Sequence, residues 1–331
     1  MDWLTVGVDF TGEVPAGAWV RVDGDVTSLA PHLARAARID LSETETTPAV
    51  MSTLLCAAQH LERLTLSDED CRSEILDVIA ERAPATLVAM TLHGYLATTL
   101  GDEDIERFVT SAAFERLETL YLWNVNLGPR AARAIAAADN HLTDLSFSGG
   151  NYTKNTLGPD GAAALDTPRL AALQSLALSY NGLGEAGVEA LAKARHLREL
   201  RTLVLTANDF THDGFKHLAV SDVLDTVEAL HVDLNGLDSR AMGSLARVPA
   251  PALTTLNVSG NPIGDDGLRA IVRSPWGPRL RRLVAVGAKL TNAELLLELV
   301  DENPAVTIAA QRNAFDTEGT TALRAAERID V

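Results

Sequence analysis

One eleven-residue pattern constrains this chain more than any other feature. Leu173-Gln174-Ser175-Leu176-Ala177-Leu178-Ser179-Tyr180-Asn181-Gly182-Leu183 reads L-x-x-L-x-L-x-x-N-x-L. The same template fits Leu200 to Phe210 with Asn208, Val227 to Leu237 with Asn235, and Leu253 to Ile263 with Asn261, at starts 27, 27 and 26 residues apart. Weaker copies continue downstream through Leu280, Leu283, Ala285 and Leu290, with Ala288 in the Asn slot, and through Ala305, Ile308, Ala310, Asn313 and Phe315. Upstream they run back through Leu142, Leu117, Leu87 and Leu61 to a faint first copy at Ala36, Ile39 and Leu41, giving eleven units. A fixed period of this length means stacked supersecondary units, each burying its apolar face against its neighbours.

The template has a simple physical reading. In x-L-x-L-x the leucines point one way and the intervening residues the other, as in a short strand. Strands of successive units would pair in parallel about 4.8 Å apart. The Asn side chain can bond backbone groups of the next turn that burial would otherwise leave unpaired. A turn then opens a helix: Leu183-Gly184-Glu185-Ala186-Gly187, Ile263-Gly264-Asp265-Asp266-Gly267 and Leu157-Gly158-Pro159-Asp160-Gly161 carry it, with acidic residues suited to a helix N-terminus. Aromatics are only 5% of a chain that is 47% hydrophobic, so Leu and Ala fill thin layers rather than one large core. The expected fold is an α/β solenoid, a horseshoe with parallel strands on its concave face and helices on its convex face. Residues 1–31 fall outside the period and read as an N-terminal capping segment of two short strands, Trp3–Val8 and Trp19–Val22, around a Gly/Pro turn. Residues 32–331 form the repeat domain, closed by a capping helix over Thr320–Ile329.

With a helix in each unit of about 27 residues, the pattern from about residue 33 to 331 resembles the ribonuclease-inhibitor-type (cytosolic) leucine-rich repeat family. Similar repeats occur in Ran GTPase-activating proteins and in the sensor halves of innate immune receptors. The resemblance implies a scaffold and little about activity, because function lives in sites grafted onto folds.

The formal charge of −17 repels phosphate backbones and argues against nucleic acid as a partner. It could steer a basic protein toward the chain. Two cysteines, Cys56 and Cys71, make no disulfide framework and suit a reducing compartment. No apolar run is long enough to span a membrane and no secretory leader is legible, so a cytoplasmic monomer is expected.

Two unit spacings are long, 30 residues from Leu87 to Leu117 and 31 from Leu142 to Leu173. Aligning the turns puts Thr98 and Asn155 in the Asn slot. The additional residues then fall near Gly94-Tyr95-Leu96-Ala97 and within residues 148–154, on the strand-to-helix rim. Neutral drift in a surface loop and a functional insertion are both open readings. Between them, outward strand positions carry Tyr121 and Trp123, an aromatic pair of the composition found at binding hot spots. Local packing under the Tyr95 or Tyr152 loop is the alternative. The candidate partner-binding set is Tyr121, Trp123, Tyr180, His93, Tyr95, Asp144, Tyr152, His231 and Asp233.

Other motifs carry less. Gly182-Leu183-Gly184-Glu185-Ala186-Gly187 matches a dinucleotide fingerprint, but the slot recurs as a repeat turn. Cys56 and His60 could share a helix face, though a buried Cys56 and a solvated His60 is the simpler expectation. His212, Asp213 and His217 lack ligand spacing for a metal. No catalytic, cofactor or metal constellation emerges, and the expected function is non-enzymatic: a module that binds a protein partner as inhibitor, immunity factor, sensor or scaffold. Regulation of a small GTPase, as the Ran GTPase-activating likeness implies, and substrate recognition for a separate enzyme are the alternatives.

Overall fold

The computed structural model describes residues 4–7, 10, 12–23, 26–42, 44–94, 98–150 and 155–331. Its packing divides the chain into two compact units, residues 1–157 with 167–173, and residues 158–166 with 174–331.

The first unit carries strands β1 (Leu4–Gly7), β2 (Trp19–Asp23), β3 (Arg38–Asp40), β4 (Arg63–Ser67), β5 (Ala89–His93), β6 (Thr119–Trp123) and β7 (Asp144–Ser146). Each pairs in parallel with the next in chain order. Residues 4–7 and 19–23 thus extend the same sheet that the repeat builds. Between strands lie α1 (Val26–Leu29), α2 (Pro48–Ala57), α3 (Ser73–Arg82), α4 (Asp102–Phe108), α5 (Ala112–Glu115) and α6 (Pro129–Ala137). The inward strand positions Val20, Ile39, Leu64, Met90, Leu120 and Leu145 stand in register and are all buried.

The second unit opens with α7 (Gly158–Ala164) and then alternates strictly: β8 (Ser175–Ala177), α8 (Gly184–Ala192), β9 (Thr202–Val204), α9 (His212–Ala219), β10 (Ala229–His231) and α10 (Ser239–Leu245). It continues through β11 (Thr255–Asn257), α11 (Gly264–Val272), β12 (Arg282–Val284), α12 (Glu294–Glu302), β13 (Thr307–Ala309), α13 (Thr317–Ala325) and β14 (Ile329–Asp330). Leu176, Leu203, Leu230, Leu256, Leu283, Ile308 and Ile329 align across its parallel strands as a buried aliphatic row. The terminal helix expected over residues 320–329 forms instead over Thr317–Ala325. β-Branched Ile329 leaves the helix to lie opposite Ile308, where it is 7% exposed, so burial of one side chain overrides helical continuity.

The Asn slot works as the template requires. Asn208 Oδ1 accepts from the backbone N–H of Asn181 at 3.0 Å and of Leu183 at 3.4 Å, while its Nδ2 donates to the Leu178 carbonyl at 2.8 Å. Asn261 repeats the arrangement, Asn235 accepts from the Asn208 N–H and donates to the Leu205 carbonyl, and Asn313 serves Ala288 and Leu290. In the first unit Asn155, on the far side of the longer insertion, accepts from Leu127 N–H at 2.9 Å and donates to the Leu122 carbonyl. Asp70 takes the acceptor half of the same role, receiving Thr46 N–H at 2.8 Å and its hydroxyl at 3.0 Å.

Residues just before the slot take left-handed backbone, Gly260 and Gly287 among them, but also Tyr180, Ala207 and Leu234. Cys56 is exposed and Cys71 is the buried thiol, opposite to the expectation for Cys56. The buried face of α2 is Met51, Leu54 and Leu55, which turns Cys56 outward, and His60 lies beyond the end of that helix. Among the described residues no helix is long and apolar enough to cross a membrane.

Candidate functional site

In the first unit, β6 presents Tyr121 and Trp123 on the sheet face away from the leucines, two residues apart. Their rings stand nearly parallel, centroids 6.3 Å apart at 11°. In-register His93 on β5 meets the Trp123 ring edge-on at 5.5 Å and 88°. On the other side, Trp123 Nε1 donates to Ser146 Oγ at 3.0 Å, and Ser146 shares a 3.0 Å hydroxyl contact with Ser148. The indole is thus fixed by three neighbours and still 41% exposed. Burial pushes the Tyr121 hydroxyl above its usual pKa, nearby Asp144 pushes the same way, and Arg63 partly offsets both. Asp144 itself accepts from the Thr143 hydroxyl at 2.9 Å.

The two insertions begin beside this cluster. Gly94 N–H donates to the Trp123 carbonyl at 2.8 Å, and a Cβ on Gly94 would sit 2.5 Å from the Asn124 carbonyl oxygen. A Cβ on Gly150 would sit 2.7 Å from Asn124 Oδ1. At Gly94 the clash would be with backbone, so only glycine allows that loop to start this close to the residue that follows Trp123, whereas at Gly150 the neighbour is a side-chain amide that can turn aside. Tyr95 and Tyr152 lie outside the described residues.

Tyr180, His231 and Asp233 belong to the second unit. Asp233 Oδ1 accepts from the Thr206 hydroxyl at 3.0 Å and from Asn257 Nδ2 at 2.9 Å, a polar bridge across three adjacent strands. Burial lowers the His231 pKa, Asp233 opposes that, and Arg282 lowers it further. Tyr180 is half-buried with φ of 57°. Sequence reading passed over Leu234, which is 51% exposed at φ 55° and rests over Gly260. The one available signal was its place immediately before Asn235, where its counterparts include Gly260 and Gly287.

Among the described residues no group of three His, Cys, Asp or Glu side chains is placed to hold a metal ion. The Gly182–Gly187 run is a repeat turn in which Gly184 opens α8.

Comparison with known proteins bears on the fold. Residues 172–192 and 251–272 match the family model described as Leucine Rich repeat, and each span runs from a strand through its following helix. An internalin from Listeria monocytogenes str. 4b F2365 superposes with a TM-score of 0.54 at 17% identity, over 92% of this chain and 76% of that one. The complex of Rad7 and Elc1 in yeast gives 0.51 at 16% identity, over 86% and 76%. No curated protein matches by sequence. At such identities the likeness is one of fold. The architecture is that of a leucine-rich repeat solenoid.

Proposed function

We propose that this chain is a protein–protein interaction module, of the ribonuclease-inhibitor type of leucine-rich repeat, whose sheet face in the first unit seats a protein partner around Tyr121 and Trp123. One observation carries the reading: an indole 41% exposed to solvent is nonetheless held in place by His93, Tyr121 and Ser146. A rigid exposed aromatic binds without a large ordering cost, which is why such residues dominate interface energetics. His93 flanks the indole and Asp144 lies near Tyr121, with the loops containing Tyr95 and Tyr152 starting alongside. In the second unit the polar bridge at Asp233, with His231, Tyr180 and Leu234, offers a further contact patch.

The helix in every unit from β8 onward supports the ribonuclease-inhibitor type, as does the 26–27-residue period. A basic partner is favoured where carboxylates concentrate, at the strand-to-helix turns bearing Glu185, Asp238, Asp265 and Asp266. A non-enzymatic role in the cytoplasm fits the charge and cysteine content.

The test is affinity capture with mass spectrometry, comparing the wild-type chain with a Tyr121→Ala, Trp123→Ala double variant. Partners retained by the first and lost by the second support the reading. Identical capture by both removes the aromatic pair from the interface.

A further inference from the structure

Six sheet positions of the first unit stand in one register row: Trp19, Arg38, Arg63, Ala89, Thr119 and Asp144. Arg38 and Arg63 are direct neighbours on β3 and β4, whose backbones lie about 4.8 Å apart. Like charges opposite one another weaken a sheet. Among the described residues neither arginine has an ion pair, whereas Arg21, one row away, reaches Asp40 at 3.1 Å. Burial draws the Arg38 guanidinium below its usual pKa, Arg63 adds to that, and Glu62 only partly compensates. In a chain of net charge −17, a pair of adjacent cations with no ion pair of its own among the described residues runs against the prevailing sign.

The geometry also prepares these groups for a ligand. The Arg38 guanidinium lies over the Trp19 ring, 3.7 Å from its centroid. Stacking fixes the plane and leaves the in-plane N–H fork free for a bidentate acceptor. Past Arg63 the row continues with the short residues Ala89 and Thr119, so neither of those two positions itself carries a long side chain beside the cations.

We propose that Arg38 and Arg63 together hold a side-chain carboxylate from an acidic segment of the protein partner, with Trp19 as the platform that orients Arg38. This rests on the protein-binding reading above and adds the chemistry of one contact. The partner is then two-sided: an acidic segment over β3 and β4, and a surface that receives the Trp123 ring over β6.

Fluorescence anisotropy with labelled hexaglutamate at low salt tests it, with labelled hexalysine and a hexapeptide bearing phosphoserine as comparison probes. Wild-type protein is expected to bind hexaglutamate saturably despite its own negative charge, and the Arg38→Gln, Arg63→Gln double variant to bind about tenfold or more weakly. That variant should melt no lower than wild type, because a repulsion has been removed, which separates lost binding from lost folding. Absence of saturable hexaglutamate binding, undiminished binding in the double variant, or binding of the phosphopeptide alone would each overturn the proposal. The Tyr121→Ala, Trp123→Ala variant should keep its hexaglutamate binding. If instead hexaglutamate fails while lysate capture still depends on Trp123, this inference falls and the aromatic reading stands.

Discussion

Trp123 keeps 41% of its surface in solvent even though its ring is fixed on three sides, so its removal loses little buried area. Trp123→Ala should lower the unfolding free energy by only about 1 kcal/mol in urea titration, far below the several kcal/mol typical of a core aromatic. A larger loss would mean the indole is structural. Asp70 makes the opposite case. Its Oδ1 fills a ladder acceptor position, but Oδ2 is buried with no partner among the described residues. Burial pushes its pKa up, more than the Thr46 bonds and Arg72 pull it down. A raised carboxyl pKa favours the folded state at low pH, and that contribution is lost as pH rises through the folded value. Asp70→Asn supplies a neutral amide in its place and should stabilise the protein at pH 7 by about 1–2 kcal/mol, read as a higher melting temperature. The gain should shrink as pH falls, because the raised pKa lets folded Asp70 take up its proton before the unfolded chain does.

At the scale of elements, each unit is joined to the next by two kinds of bond that only a repeat can align. The Asn ladder ties one turn to another, and turn carboxylates bridge outward: Glu185 accepts from the Thr211 N–H and hydroxyl, and Asp265 from Thr291 and Asn292. Asn208 is fully buried and serves two N–H groups and one carbonyl of the preceding unit. Asn208→Ala would orphan all three, at about 1–3 kcal/mol for each buried group left unpaired and less where water can enter. The expected destabilisation is about 2–4 kcal/mol by urea unfolding. A loss below about 1 kcal/mol would show that the strands and leucines carry the stack unaided. Hydrogen exchange should locate the damage at Asn181 and Leu183.

For the whole molecule, the carboxylates that brace helix starts and turns set the acid limit. Burial alone would raise Asp104, Asp166, Asp238 and Asp265, but hydrogen bonds and neighbouring cations outweigh it and hold all four below the usual carboxylate range. Their unfolded counterparts titrate near pH 3.9. Each contributes stability that is complete above that value and lost as pH falls through the lower folded one. Thermal melts should therefore decline steeply below about pH 4, after a smaller loss that begins near about pH 6.5, where the unfolded chain takes up a proton that the lowered pKa of His231 denies the folded one. Exposed pairs such as Lys193 with Glu189 should add little to this profile, so it should change only modestly with salt.

The period from Leu173 to Ile263 was enough to determine the strands, their parallel stacking, the Asn ladder and the helix in each unit. These follow from local pattern repeated at fixed spacing, and every neighbour of a unit is another copy of it. The placement of Tyr121 and Trp123 on one side was also legible from alternation along β6, whereas the half-burial of Tyr121 beside an exposed Trp123 was not. Only tertiary structure decided which side chains meet across strands. The edge-on His93 contact, the Ser146 bond, the stacking of Arg38 on Trp19 and the like-charge pair with Arg63 all join residues 19 to 30 positions apart, and their ring geometry depends on rotamers that no pattern encodes. The same holds where single residues depart from the repeat. Ile329 became a strand by burying its side chain opposite Ile308, and Cys56 turned outward because its helix had other residues to bury.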